Sequence, residues 1–283
     1  MADIAEDAKR FRLIENPVGK SRFDTFLRRL GVMDIVVFHP LLLELMGRAG
    51  SDAADRNAAG VALESYLVRR VVCGYQTRGY GTLAITLLDR VAAVAEGQPA
   101  APAILQALGE STGSDRWPDD AAFQAEWCRK KFYGNLRPNR VLMILRAIEE
   151  HYQREGTKSE PVLSFNFDEL EIEHILPQAW EAHWPLDETV TTREDRNWWL
   201  HGIGNLTLIS GSLNKELSHG LWIAADDAPS KRKGLQLHSK LELNARLLRD
   251  HTAAWDEAGM QARANTLFAT ARQIWPAVVS ATA

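Results

Sequence analysis

Three short segments in the second half of the sequence carry side chains that could perform metal-assisted chemistry. A carboxylate next to a histidine places a hard oxygen ligand beside a titratable base. On a strand, neighbouring side chains point to opposite faces, so one can contact a metal ion while the other contacts a water molecule. The three segments contain Glu173-His174, Gly204-Asn205 and Asn214-Lys215.

Two short strands are predicted to hold the first two segments. Residues 170–175 and 205–209 have strand-like sequences, and Pro177 is expected to end the first strand and turn the chain. Gly204 precedes the second strand, where the lack of a side chain permits close approach of another backbone. The acid and the histidine are therefore expected at the end of a strand.

A short helix is predicted to follow the second strand. Ser210 or Ser212 can cap its N-terminus, and Asn214 and Lys215 then lie in its first turns. The N-terminus of a helix beside a cation site is a favourable place for a phosphate group, because the backbone N–H groups there lack partners within the helix. The pattern favours a site that binds a metal ion and a phosphate.

The elements that surround these segments are predicted to be helices. Residues 61–72 are broadly apolar, and this helix is expected to stop at Cys73-Gly74. After Gly220 the pattern is helical again around residues 235–248 and 252–275. A further apolar stripe recurs at helical spacing through Val141, Ile144, Leu145, Ile148 and Tyr152.

A polar stretch at residues 154–161 predicts a boundary between two parts of the chain. We expect a helical domain over residues 1–158 and a second domain over residues 159–283 that contains the reactive segments. The fold class is therefore expected to be mainly α, with a small α+β element. The tryptophans around this element are expected to form its core, since a small unit needs large aromatic side chains to bury enough surface.

Composition limits the classes of protein to consider. The 283 residues are 46% hydrophobic and 25% charged, with a formal charge of −4, which is typical of a globular protein. No apolar run approaches the roughly 18–20 residues of a membrane span, and no signal sequence is recognised, so a cytoplasmic protein without a membrane partner is expected. The 2 cysteines exclude a disulfide framework and a four-cysteine zinc site. A phosphate-cradling glycine-rich loop with its lysine is not found, so nucleotide hydrolysis is not expected.

The ordered motifs resemble those of the His-Asn-His, or ββα-metal, nucleases. The sequence Glu-His-Ile-Leu-Pro at residues 173–177 is followed by Gly-Asn-Leu-Thr-Leu at 204–208 and Leu-Asn-Lys at 213–215. The chain is most similar to the C-terminal nuclease domain of GmrSD-type restriction proteins and of SspE phosphorothioate-sensing phage-defence proteins. The similarity is strong over 170–276 and looser before it. It implies a helical N-terminal region, a ββα-metal nuclease core and closing C-terminal helices.

The resemblance also implies a mechanism. Glu173 and Asn214 would hold a single Mg²⁺ or Mn²⁺ ion, which would stabilise charge on the phosphodiester. His174 would accept a proton from the attacking water, and Asn205 would brace the loop and orient the histidine. Each chain would then nick one DNA strand. A double-strand break would need a second copy, so homo-oligomerisation is left open.

DNA is the partner that the resemblance implies, and basic side chains are expected to contact it. Such contacts neutralise phosphates and make binding depend on salt. The family also has an N-terminal nucleotide-dependent sensor domain, which is not recognised in this sequence. We therefore expect this chain to be the C-terminal part of a longer protein or half of a split system. The residues expected to contact DNA are Lys215, Lys231, Arg232, Lys233 and Lys240.

Two alternatives to a DNA nuclease follow from the same residues. The acid is Glu173 where many members of the family have Asp, which keeps open a catalytically inactive module that binds DNA or docks a sensor. A hydrolase acting on RNA is the second alternative, since the motif does not distinguish the two sugars. Among the other histidines, His201 and His219 lie near the motif and are candidates for a position close to the metal.

Overall fold

The computed structural model describes residues 2–156, 167–182, 184–189, 191–217, 220–224 and 228–277. These residues form two compact units, one comprising Met1–Phe123 with Trp275–Ala283 and the other Gln124–Ile274. The domain boundary expected near residues 158 and 159 lies outside the described residues. The helix that ends at Gly156 packs against both strands of the second unit.

The regular secondary structure in the described residues of the first unit is all helical. Its longest helix is broadly apolar because it is buried on most sides, and it begins with the Asp52 side chain accepting a hydrogen bond from the Asp55 N–H at 2.8 Å. The helix ends at Gly74, whose φ of 70° is a left-handed conformation that favours glycine. The predicted stop at Cys73-Gly74 is confirmed. The helices are α1 (Ala2–Glu15), α2 (Arg22–Met33), α3 (His39–Gly47), α4 (Ala53–Cys73), α5 (Tyr80–Ala92) and α6 (Ala101–Gly109).

A buried carboxylate lies in the core of the first unit. Glu64 on α4 is 0% exposed and forms ion pairs with Arg29 at 2.5 Å and Arg22 at 2.6 Å. The indole N–H of Trp275 donates to the same carboxylate at 2.7 Å. Burial alone would raise the pKa of Glu64, but these arginines and the indole donor outweigh it, so the pKa lies below its ordinary value.

The second unit combines helices with two antiparallel strands, β1 (Leu170–His174) and β2 (Leu206–Ser210). In their register Glu173 lies opposite Thr207 and His174 opposite Leu206. Helix α7 (Asp120–Arg129) spans the division between the units. The remaining helices are α8 (Phe132–Asn135, an irregular turn), α9 (Pro138–Gly156), α10 (Arg193–Leu200), α11 (Gly211–Leu217), α12 (Lys231–His238), α13 (Glu242–Asp250) and α14 (Glu257–Ile274).

The described residues are thus mainly helical with one small two-stranded sheet, as predicted. One predicted helix, around residues 235–248, is instead the two helices α12 and α13. The break is stabilised by Glu149, whose carboxylate accepts hydrogen bonds from the backbone N–H groups of Glu242 at 3.0 Å and Leu243 at 2.7 Å. These are N–H groups at a helix start, which need such an acceptor.

Aromatic and aliphatic side chains fill the core behind the strands. Helix α11 follows β2 directly and contacts both strands. The prediction that tryptophans form this core is confirmed for four of them, which are all buried: Trp180, Trp184, Trp222 and Trp255. No described helix combines the length and the apolar character that crossing a membrane requires.

Candidate functional site

A groove with a volume of about 420 Å³ opens at the end of β1, beside the start of α11. It brings together four residues that the sequence interpretation had selected from separate segments, namely Glu173, His174, Asn214 and Lys215. The full lining is Glu171, Glu173, His174, Pro177, Gln178, Gly211, Asn214 and Lys215.

Asn205 does not line this groove but is buried behind it. Its amide oxygen accepts hydrogen bonds from the Leu176 N–H at 2.8 Å and the Trp255 indole N–H at 3.0 Å. Its amide nitrogen donates to the carbonyls of Leu176 at 3.0 Å and Leu200 at 2.9 Å. Asn205 therefore holds the chain that follows His174 against the end of α10.

The backbone next to Asn205 packs directly on α14. A side-chain carbon at Gly204 would lie 2.0 Å from the Met260 carbonyl oxygen, so only glycine fits. The predicted close approach at Gly204 is confirmed. Arg263 on α14 is buried and donates to the carbonyls of Gly204 and Leu206, each at 2.7 Å. Helix α14 thus fixes the start of β2.

His174 is 5% exposed and lies among other rings. Its Nε2 atom lies 3.2 Å from Nδ1 of His201, and the ring of Tyr133 meets it edge-on with centroids 4.7 Å apart. Burial, together with the charges of His201 and Lys231, lowers the pKa of His174 to about 3. The imidazole is therefore neutral at physiological pH, as acceptance of a proton requires.

Glu173 forms an ion pair with Lys231, a residue of α12. The Lys231 ammonium also donates to the His174 carbonyl oxygen at 2.7 Å, and the residue is 1% exposed. Burial lowers the pKa of Lys231, while the carboxylate of Glu173 opposes that shift. The prediction that Lys231 contacts DNA is wrong. Its ammonium is buried and paired with Glu173, so it does not reach a phosphate in solvent.

Asn214 lies on α11 and donates through its amide nitrogen to Glu171 at 3.0 Å. Among the described residues, the amide oxygen of Asn214 has no hydrogen-bond donor and is available as an acceptor. Glu171 was not among the predicted site residues, although its spacing from Glu173 could have indicated it. Residues two apart on a strand share a face, so Glu171 and Glu173 on β1 project to the same side.

The donor set of the groove matches a hard divalent cation. Two carboxylates, from Glu171 and Glu173, and the amide oxygen of Asn214 are oxygen ligands of the kind that Mg²⁺ and Mn²⁺ prefer. Among the described residues, no group of three or more His, Cys, Asp and Glu side chains is arranged to enclose an ion.

The other predicted DNA contacts are distributed over α11, α12 and the connection to α13. Lys215 and Lys240 are exposed, whereas Arg232 and Lys233 are half-buried in the first turn of α12. His201, the histidine noted near the motif, lies directly beside His174. His219, the other one, lies outside the described residues.

The chain matches a known protein family. The model of the C-terminal domain of GmrSD restriction endonucleases matches residues 117–270, which is more than half of the chain. No curated protein matches the sequence. The matched range includes every residue of the groove and of the strands that form it. The chain therefore belongs to the GmrSD restriction endonuclease family and contains the C-terminal nuclease part of such an enzyme.

Proposed function

We propose that this protein is a metal-dependent DNA endonuclease that nicks one strand at a time. The observation that carries the proposal is the convergence of Glu173, His174 and Asn214 on one groove from two separate segments, β1 and α11. In this interpretation β1, β2 and α11 form the ββα-metal core. The family supports the nuclease activity, and the donor set of the groove supports the metal.

Each side chain has a distinct role in the proposed reaction. Glu173 and Asn214 would hold one Mg²⁺ or Mn²⁺ ion, and Glu171 orients the Asn214 amide. When bound, the ion would stabilise the negative charge that develops on the phosphodiester. His174, neutral because burial depresses its pKa, accepts the proton of the attacking water. Asn205 keeps the turn after β1 in place through its four hydrogen bonds.

DNA would reach the groove along the exposed basic side chains around it. Lys215 lines the groove and is exposed, Lys240 is exposed in the connection after α12, and Arg232 and Lys233 are half-buried in the first turn of α12. Phosphate contacts of this kind carry no sequence information, so cleavage is expected to tolerate many sequences. Binding should weaken steeply as salt is raised.

The biological setting follows from the family. A GmrSD-type enzyme would cut modified or phosphorothioate-containing DNA in a bacterial defence system. We propose that a sensor domain recognises the modification and controls this nuclease part in the cytoplasm.

The direct test is plasmid nicking with Mg²⁺ or Mn²⁺. We expect supercoiled plasmid to become nicked, and His174→Ala to lower the rate at least 100-fold, the usual contribution of a general base. His238→Ala is the matched control, because His238 is 51% exposed and lies outside the groove. Equal nicking by wild-type protein and His174→Ala would contradict the mechanism.

A second function, a catalytically inactive DNA-binding or sensor-docking module, is favoured by one observation. The Lys231 ammonium already neutralises Glu173, so the protein satisfies this carboxylate without a metal. Titration with Mn²⁺ separates the two functions. A nuclease should gain thermal stability that depends on Glu173 and Asn214, whereas an inactive module should gain none. Matched DNA and RNA substrates, assayed side by side, would test whether RNA is the substrate instead.

A further inference from the structure

Two aromatic rings, those of His201 and Tyr133, contact His174, the proton acceptor of the proposed reaction. The rings of His174 and His201 meet edge-on, with centroids 5.3 Å apart. Tyr133 stacks on His201 at 5.8 Å with an angle of 20° and meets His174 edge-on at 4.7 Å. His201 is thus packed against Tyr133 on one side and His174 on another.

The backbone holds this arrangement in place. The His201 carbonyl accepts a hydrogen bond from the Tyr133 N–H at 3.1 Å, and Lys131 pairs with Gly202 in an isolated antiparallel bridge. The turn after Tyr133 passes through Gly134, whose φ of 100° favours glycine. The segment that carries Tyr133 is therefore tied to the end of α10, where His201 lies.

The hydrogen bond between His174 and His201 limits which ring nitrogens can carry a hydrogen atom. A neutral imidazole has one N–H donor and one acceptor nitrogen. If Nε2 of His174 carries the hydrogen and donates to Nδ1 of His201, then Nδ1 of His174 has the lone pair. Among the described residues, Nδ1 of His174 has no hydrogen-bond partner, and the residue lines the groove. The atom left to accept a proton is then the one without a protein partner.

We propose that His201 is a positioning residue that sets the tautomer of His174. By accepting the hydrogen bond from Nε2, it keeps Nδ1 of His174 unprotonated and available to the water in the groove. This inference rests on the proposed function for its role in the reaction. Removing the partner that fixes the tautomer of a metal-ligating histidine typically costs 10–100-fold in metal affinity or activity, and we expect an effect of that order on activity here.

Two substitutions at His201 separate this role from simple packing. The amide oxygen of Asn reaches about the position of Nδ1 in histidine and accepts a hydrogen bond, so His201→Asn should keep the tautomer. Gln has the same amide on a longer side chain, so His201→Gln removes the acceptor from that position. His201 is half-buried, and both polar side chains are therefore expected to fold. His238→Gln is the control at an exposed histidine.

The test combines nitrogen NMR of the imidazole rings in the full chain with plasmid nicking. We expect His174 to carry its hydrogen on Nε2 in the wild type and in His201→Asn, and to populate both tautomers in His201→Gln. The nicking rate at saturating DNA should fall about 10-fold or more in His201→Gln, while the KM for DNA stays unchanged.

Other outcomes would overturn the inference. A wild-type His174 that carries its hydrogen on Nδ1, or a tautomer and rate unchanged in His201→Gln, would contradict it. A wild-type protein that shows the expected tautomers but nicks no DNA would instead contradict the proposed function, because the NMR measurement does not depend on cleavage.

Discussion

The ammonium of Lys231 forms a buried ion pair with the carboxylate of Glu173, across 58 residues of sequence. The same ammonium donates to the carbonyl of His174, so one lysine contacts two adjacent residues at the end of β1. A positive charge is thus built into the protein beside the carboxylate that we propose as a metal ligand.

Lys231→Met should destabilise the protein because it leaves the Glu173 carboxylate without its counter-charge. Breaking a buried ion pair by removing one partner costs about 3–5 kcal/mol, and we expect a loss of that order in the free energy of unfolding. Urea denaturation without divalent ions measures it, and Lys240→Met, at an exposed position, is the control. Adding Glu173→Gln should recover part of the loss. Strictly additive effects of the two substitutions would contradict the pairing.

Glu171→Ala should weaken binding of Mn²⁺, because it removes the acceptor that orients the Asn214 amide. Loss of such a supporting partner typically costs 10–100-fold in metal affinity. Glu171→Gln should cost less, since its amide oxygen can still accept the hydrogen bond. Calorimetric titration measures the affinity, with the exposed Glu216 changed to Gln as the control. An affinity unaltered in Glu171→Ala would exclude this role.

Asn205→Ala should be among the more destabilising substitutions in the second unit. It removes a buried side chain with four hydrogen bonds and leaves buried partners unpaired, at about 1–3 kcal/mol for each group. We expect a loss of at least about 3 kcal/mol in the free energy of unfolding. Asn197→Ala, which removes one hydrogen bond to Trp180, should cost less. A larger effect at Asn197 would argue against the bracing role.

Acid should destabilise the first unit through Glu64. In the folded protein the pKa of the Glu64 carboxyl lies below its ordinary value. The ionised carboxylate therefore contributes its full stabilisation at pH values above the pKa of Glu in the unfolded chain, about 4.3. That contribution is lost as the pH falls from there through the lower folded pKa. Thermal unfolding between about pH 6 and pH 3 should show a loss of stability in the wild type that is smaller in Glu64→Gln. An equal acid dependence in both proteins would contradict this assignment.

Local patterns in the sequence were sufficient for much of the fold. The helix stop at Gly74, the two strands and the close approach at Gly204 all depend on residues within a few positions of one another, or on glycine itself. The three motifs were also recognisable from the sequence, because their order along the chain resembles that in the family. The shared strand face of Glu171 and Glu173 was readable from their spacing as well.

Long-range packing decided the rest of the candidate site. A run of basic residues such as 231–233 is usually solvated, and only the position of α12 beside β1 buries Lys231 against Glu173. Tyr133 reaches His174 from a segment before α9, and no sequence motif connects the two. The sequence by itself determined which chemical groups are available and which local elements carry them. The tertiary structure decided their partners and protonation, because burial and electrostatic pairing depend on neighbours that are distant in the chain.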